Sequence, residues 1–190
     1  MSLELIVKHF NTRDLDGDEI ETLTGKLPVL YSDLGKYKTL NELLGKENHA
    51  VVLYETSSKG FGHFVAITRD DDTGKVRYAD SYGIPNPDTE LQFTAYDKPL
   101  PKYLNKLLEP YDYESNTYPY QGKRKGVSTC GRWSSLFCRF RNLSLRQIQE
   151  MFTSNKSEFL SDSDNAATIL TLFPLRDITT YLEDLPRGRY

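Results

Sequence analysis

Residues 63–69 read HFVAITR, residues 70–74 read DDDTG and residues 75–81 read KVRYADS. Two runs rich in β-branched and aromatic residues flank a cluster of turn formers, which predicts a β-hairpin. Directly opposed residues of an antiparallel pair share a constant index sum. If Arg69 faces Gly74, His63 faces Asp80, and their Cβ atoms stand about 5 Å apart on one face. A one-residue slip would send them to opposite faces, so the register matters.

Upstream of the hairpin, residues 50–54 (AVVLY) form an apolar, β-branched run suited to a buried strand. Residues 14–23 read as a short helix, and Thr39 to Glu42 as a capping box that opens a brief helix ending at Leu44. Downstream, Pro85, Pro87, Pro99 and Pro101 punctuate the chain, residues 103–108 read as a helix, and residues 111–126 read as loop. From Thr129 the period becomes helical. Trp133, Leu136, Phe137 and Phe140 fall on one face, with Arg132 and Arg139 opposite, turned to solvent or a ligand. Ser144 to Gln147 caps another helix reaching Phe152, and residues 164–185 read as helical on both sides of Pro174. A few strands followed by helices, without strict alternation, predict an α+β fold with a small mixed or antiparallel central sheet and helices packed on it. The 190 residues suit a single domain.

At 38% hydrophobic and 12% aromatic residues, the composition excludes disorder, collagen and coiled coil as whole-chain descriptions. No apolar run approaches the roughly 18 residues of a membrane span, so no membrane partner is expected. Two cysteines do not make a disulfide framework, which predicts an intracellular, reducing setting. The net charge of −3 argues against a generic nucleic-acid binder, but the charge is unevenly spread. Between Ser115 and Gln149 there is no acidic residue, whereas Lys123, Arg124, Lys125, Arg132, Arg139, Arg141 and Arg146 all lie there. Lys123, Arg124, Lys125, Arg132 and Arg139 are therefore candidate nucleic-acid contacts, with Tyr118, Tyr120 and Trp133 as stacking surface.

Cys130 stands at the start of the aromatic-striped helix, where unpaired N–H groups and the helix dipole favour thiolate over thiol. Cys138, two turns on, fits a buried packing role. A thiolate nucleophile needs a base, and His63 follows Gly60-Phe61-Gly62, where a loop leaves its ring accessible. Asp80 is placed to accept from the imidazole and fix its tautomer. The Cys130 backbone N–H is one oxyanion donor, and the Gln121 side chain offers a second. This chemistry requires no metal ion and no cofactor.

Gly62-His63-Phe64, then Asp80-Ser81 seventeen residues after the histidine, then Gln121 and Ser128-Thr129-Cys130-Gly131, resemble the cysteine proteases related to the adenovirus maturation protease and to the SUMO-specific proteases. The order His, Asp, Gln, Cys sets that group apart from papain-like enzymes. The resemblance spans about residues 51–140 and implies Cys130 as nucleophile, His63 as general base, Asp80 as orienting acid and Gln121 as oxyanion donor. It also implies that the helix opening at Cys130 packs on the sheet carrying His63 and Asp80. Phe64 stands where many members carry a Trp that helps form a narrow substrate tunnel, so cleavage at Gly-containing sites is expected. The stretch from Gln121 to Cys130 is longer than the family's usual spacing. The loop must bulge there, and Ser128 or Thr129 could replace Gln121 as donor.

The resulting expectation is a cysteine endopeptidase with a polypeptide substrate. Its compact chain looks more like the viral or transposon-borne enzymes that process capsid precursors, placed in host cytoplasm or nucleus and packaged in virions. Removal of a ubiquitin-like modifier of the SUMO type is the alternative within the same chemistry, and nucleic-acid binding through residues 123–146 is the alternative outside it. The adenovirus relative is activated by DNA and by a peptide, so DNA and an activating peptide are candidate partners here.

Overall fold

In the computed structural model, residues 2–122, 124, 126–154, 159–160 and 162–175 are described. Helix α1 (Leu3–Asn11) is capped by Ser2 and buries Ile6, Val7 and Phe10 on one face. The sequence reading offered no helix there. Helix α2 (Gly17–Thr24) starts with a reciprocal capping box between Asp16 and Glu19 and stops at Gly25, which adopts the left-handed conformation. Strand β1 (Val29–Leu30) is followed by a 3-10 turn, then by α3 (Leu40–Leu44), capped by Thr39. The expected box at Thr39 is half made, because the Glu42 carboxylate accepts from Lys38 N–H.

Strands β2 (His49–Ser58), β3 (Phe61–Arg69) and β4 (Val76–Asp80) form an antiparallel meander, and β1 and β5 (Glu114–Ser115) add parallel edges, giving the order β1-β2-β3-β4-β5. The remaining helices are α4 (Tyr103–Leu108), α5 (Cys130–Arg139), α6 (Leu145–Thr153) and α7 (Ser163–Leu175). The fold is α+β, as expected. The part of the expected C-terminal helix beyond Leu175 lies outside the described residues. Among the described residues, no helix is long and apolar enough to cross a membrane.

Alternation along the strands sends their side chains into two separate cores. Val51, Leu53, Phe64, Ala66 and Ala79 pack against α2, α5, α6 and α7 through Ile20, Trp133, Phe137, Ile148 and Ala167. Val52, Tyr54, Val65, Ile67 and Tyr78 pack on the opposite face, against Tyr31, Leu43, Leu104 and Leu108. The sheet is therefore covered on both sides, and the middles of its two longest strands, residues 50–54 and 64–67, are unbroken apolar runs.

The hairpin register differs from the expected one by two residues. Arg69 pairs with Val76 and Val65 with Asp80. The turn is longer because the Asp70 carboxylate accepts the N–H groups of Asp72 and Thr73, and Lys75 closes the loop by accepting from Asp70 N–H. A two-residue shift conserves the face. His63 thus stays on the same side as Asp80, one ladder step beyond it.

Candidate active site

His63 and Asp80 meet at the end of the sheet where β3 begins and β4 stops. His63 Nε2 lies 3.0 Å from Asp80 Oδ1, with both side chains buried. The same carboxylate oxygen accepts Tyr82 N–H at 2.7 Å. The imidazole stacks on the Tyr82 ring, with centroids 4.4 Å apart and planes 16° from parallel. Asn116 holds the Asp80 main chain from both sides, its Oδ1 accepting Asp80 N–H and its Nδ2 donating to Asp80 C=O. This brace fixes the Asp80 main chain independently of the histidine.

Helix α5 aims its N-terminus at this corner, and Cys130 Sγ lies 4.0 Å from Gly62 C=O. Gly62 cannot carry a side chain, because a Cβ there would stand 1.8 Å from Tyr54 C=O across the irregular β2–β3 pairing. That close approach brings the start of β3 down to the thiol. Cys130, His63, Gln121, Ser128, Tyr82 and Glu90 line one cavity of about 370 Å³, and Cys130 is 6% exposed through it. His63 Nδ1 has no hydrogen-bond partner among the described residues. Burial disfavours the imidazolium, but the Asp80 hydrogen bond and the neighbouring Cys130 sulfur outweigh it and raise the His63 pKa to about 10. At the far end of α5, burial pushes the Cys138 thiol up to about 12.

Gln121 is fixed inside the cavity wall. Its Oε1 accepts from Ser81 Oγ at 3.0 Å and its Nε2 donates to Val127 C=O at 3.1 Å, which leaves the second amide N–H as a donor. Before Cys130, Val127 N–H donates to Arg124 C=O, and Gly126 lies in the left-handed region. Of the alternative donors, the Thr129 hydroxyl is committed to Asp164 at 2.5 Å and Ser128 N–H to Asn11 C=O at 2.7 Å.

Asp164 was invisible to motif reasoning. Fully buried, it accepts from Thr129 Oγ1, from Trp133 Nε1 at 3.1 Å and from Gly122 N–H at 2.8 Å. One carboxylate from α7 thereby pins the start of α5 and the residue after Gln121. Glu90, on a single 3-10 turn after β4, was missed as well; it is 3% exposed and lines the Cys130 cavity. No short spacing in the sequence marks either residue.

Other expected residues lie elsewhere. Phe64 is buried on the α5 face beside Gly131 and borders an adjoining cavity with Asp14, Phe61 and Gly62. Arg132 does not face solvent: it is 0% exposed, donates to Thr171 Oγ1 at 2.9 Å and to Phe10 C=O, and rests on the Phe10 ring. The reason is a second layer, α1 and α7, over the face that the helical period left polar. Tyr120 and Trp133 are core residues, so they offer no stacking surface. Arg139 is exposed, and Arg124 pairs with Asp162. Lys123 and Lys125 lie outside the described residues.

Among the described residues, His63, Asp80 and Glu90 are buried donors whose atoms come within 4.8 Å of one another, a set that could face a divalent cation.

No protein-family model matches the chain. It is similar to uncharacterized protein V9 of the Sputnik virophage, with 27% identity over 163 residues, covering 82% of this chain and 91% of that protein. The similarity ties the chain to a viral protein.

Proposed function

We propose that the protein is a cysteine endopeptidase. The observation that carries this reading is that Cys130 and His63, remote in sequence, line one cavity at the mouth of α5, with Asp80 buried behind His63 and 3.0 Å from its Nε2. His63 takes the Cys130 proton, and the sulfur attacks the peptide carbonyl carbon. The carbonyl oxygen, now anionic, turns to the Cys130 N–H, which has no partner within its helix, and to the remaining Gln121 amide N–H. The His63 imidazolium then gives its proton to the departing amine as the C–N bond breaks, leaving a thioester. Water, deprotonated by His63, attacks that carbonyl; the C–S bond breaks and the proton returns to sulfur. Asp80 holds the ring throughout and stabilises its charged form.

The virophage relative supports a viral setting, in which the substrate would be a viral or capsid precursor. Gly62, which has no room for a side chain, lines both the Cys130 cavity and the adjoining one bordered by Phe64, and this close backbone supports cleavage at Gly-containing sites. The buried Arg132 and the Arg124–Asp162 pair leave less free positive surface than the sequence offers, so the peptidase reading outweighs nucleic-acid binding.

The test is a Gly-containing peptide ending in a vinyl sulfone. Mass spectrometry is expected to find a single adduct on Cys130, absent in His63→Ala. A folded protein that neither forms this adduct nor cleaves precursor peptides overturns the proposal.

A further inference from the structure

Glu90 is a buried acid without a task in the steps above. Its Oε1 has no hydrogen-bond partner, and neither has Asp80 Oδ2, 0% exposed, among the described residues. One oxygen of each carboxyl and one ring nitrogen of His63 all lie within 4.8 Å of one another, near enough for one proton to be shared between the carboxyls across a single water. Two buried carboxylates so close do not both stay ionised, whereas one proton between them satisfies both oxygens.

Donors decide where the proton sits. Asp80 Oδ1 accepts from Tyr82 N–H and contacts His63 Nε2, which favours the charge on Asp80. Glu90 Oε1 accepts from nothing, and burial raises its pKa. The titratable groups facing Glu90 are His63 of β3, Asp80 and Tyr78 of β4, Tyr54 of β2, and Tyr82 beyond β4; burial and the Asp80 charge favour the neutral acid and outweigh the opposing pull of His63.

We infer that Glu90 is a positioning residue that stays a neutral acid and donates its proton to Asp80 Oδ2, holding that carboxylate against His63 without adding a second negative charge. The proton assignment is independent of the peptidase reading; the positioning role rests on it.

Infrared spectroscopy of the full chain tests the first part. A protonated-carboxyl C=O band is expected at neutral pH in the wild type and in Cys130→Ala, and its loss is expected in Glu90→Gln. No Glu90-dependent band overturns the inference, and so does zinc binding, measured by calorimetry with zinc chloride, that vanishes in Glu90→Gln. Kinetics test the second part. Glu90→Gln, which keeps a donor, is expected to hold kcat within about threefold and leave the alkaline limb in place, while Glu90→Ala loses at least about tenfold in kcat with KM little changed. A downward move of the alkaline limb by half a pH unit or more in Glu90→Gln overturns it, since that marks an ionised Glu90. A Glu90-dependent band in a protein that cleaves nothing supports the shared proton and removes only the peptidase reading.

Discussion

At the turn end of the β3–β4 ribbon, Arg77 donates to Asp70 at 3.1 Å, to Glu114 at 2.9 Å and to Arg141 C=O at 2.7 Å. At the open end, the His63–Asp80 pair is equally buried but leaves His63 Nδ1 and Asp80 Oδ2 without partners, with Glu90 Oε1 beside them. The same two strands thus carry one saturated charge cluster and one unsaturated cluster. Buried polar atoms are normally paired, so the unsaturated cluster sits where a proton, a substrate or a thiolate completes it. Within this ribbon, saturation and not burial is what distinguishes the two clusters.

The comparison breaks most sharply on one substitution made at both ends. Asp80→Asn is expected to lower kcat by about 10³-fold or more, by favouring the wrong imidazole tautomer, whereas Asp70→Asn keeps kcat/KM within about threefold and lowers Tm. Steady-state kinetics beside thermal unfolding checks this, and comparable kinetic losses at the two ends would erase the distinction. The two ends of α5 provide the next contrast. Cys130 opens on the cavity, while Cys138 is sealed in the core with its thiol pushed up to about 12, so iodoacetamide should alkylate Cys130 at least about 100-fold faster in the native protein. Peptide mapping after limited labelling reads the ratio, and equal rates would count against a privileged thiol.

The smallest effect is in pH. The His63 pKa is raised from 6.5 to about 10, so the stability its partners lend is complete below about 6.5 and disappears as pH climbs through about 10. The Asp70 pKa is lowered from 3.8 to about 2, first by Thr73 N–H and further by Arg77, so its contribution is complete above about 4 and disappears as pH falls through about 2. The Tm gap between wild type and His63→Gln should therefore close at the alkaline side, and that for Asp70→Asn at the acid side. Gaps that close together would show that the clusters are not separate.

Much of this was legible in the sequence, for identifiable reasons. Period-two alternation put His63 and Asp80 on one face, and that survived because face depends only on parity. The register itself did not survive, since the Asp70 carboxylate captures two backbone N–H groups and lengthens the turn. Cys130 at the head of α5 followed from the helical period. Arg132 did not, because a helical wheel shows which side is polar but not that α1 and α7 will cover it. Glu90 and Asp164 enter the site through long-range packing, for which no local spacing exists.

Asn11 on α1 accepts from Thr168 Oγ1, donates to Asn165 and receives Ser128 N–H on its carbonyl, while Asp164 grips Thr129 and Gly122. The segment leading to the thiol is thus clamped by residues from both extremities of the fold. A ribosome releases Cys130 well before Asp164 and Thr168, so a growing chain carries its sulfur in an unanchored loop. The geometry around Cys130 is therefore complete only once α7 has been made and has docked, which couples this corner of the molecule to the last step of its assembly.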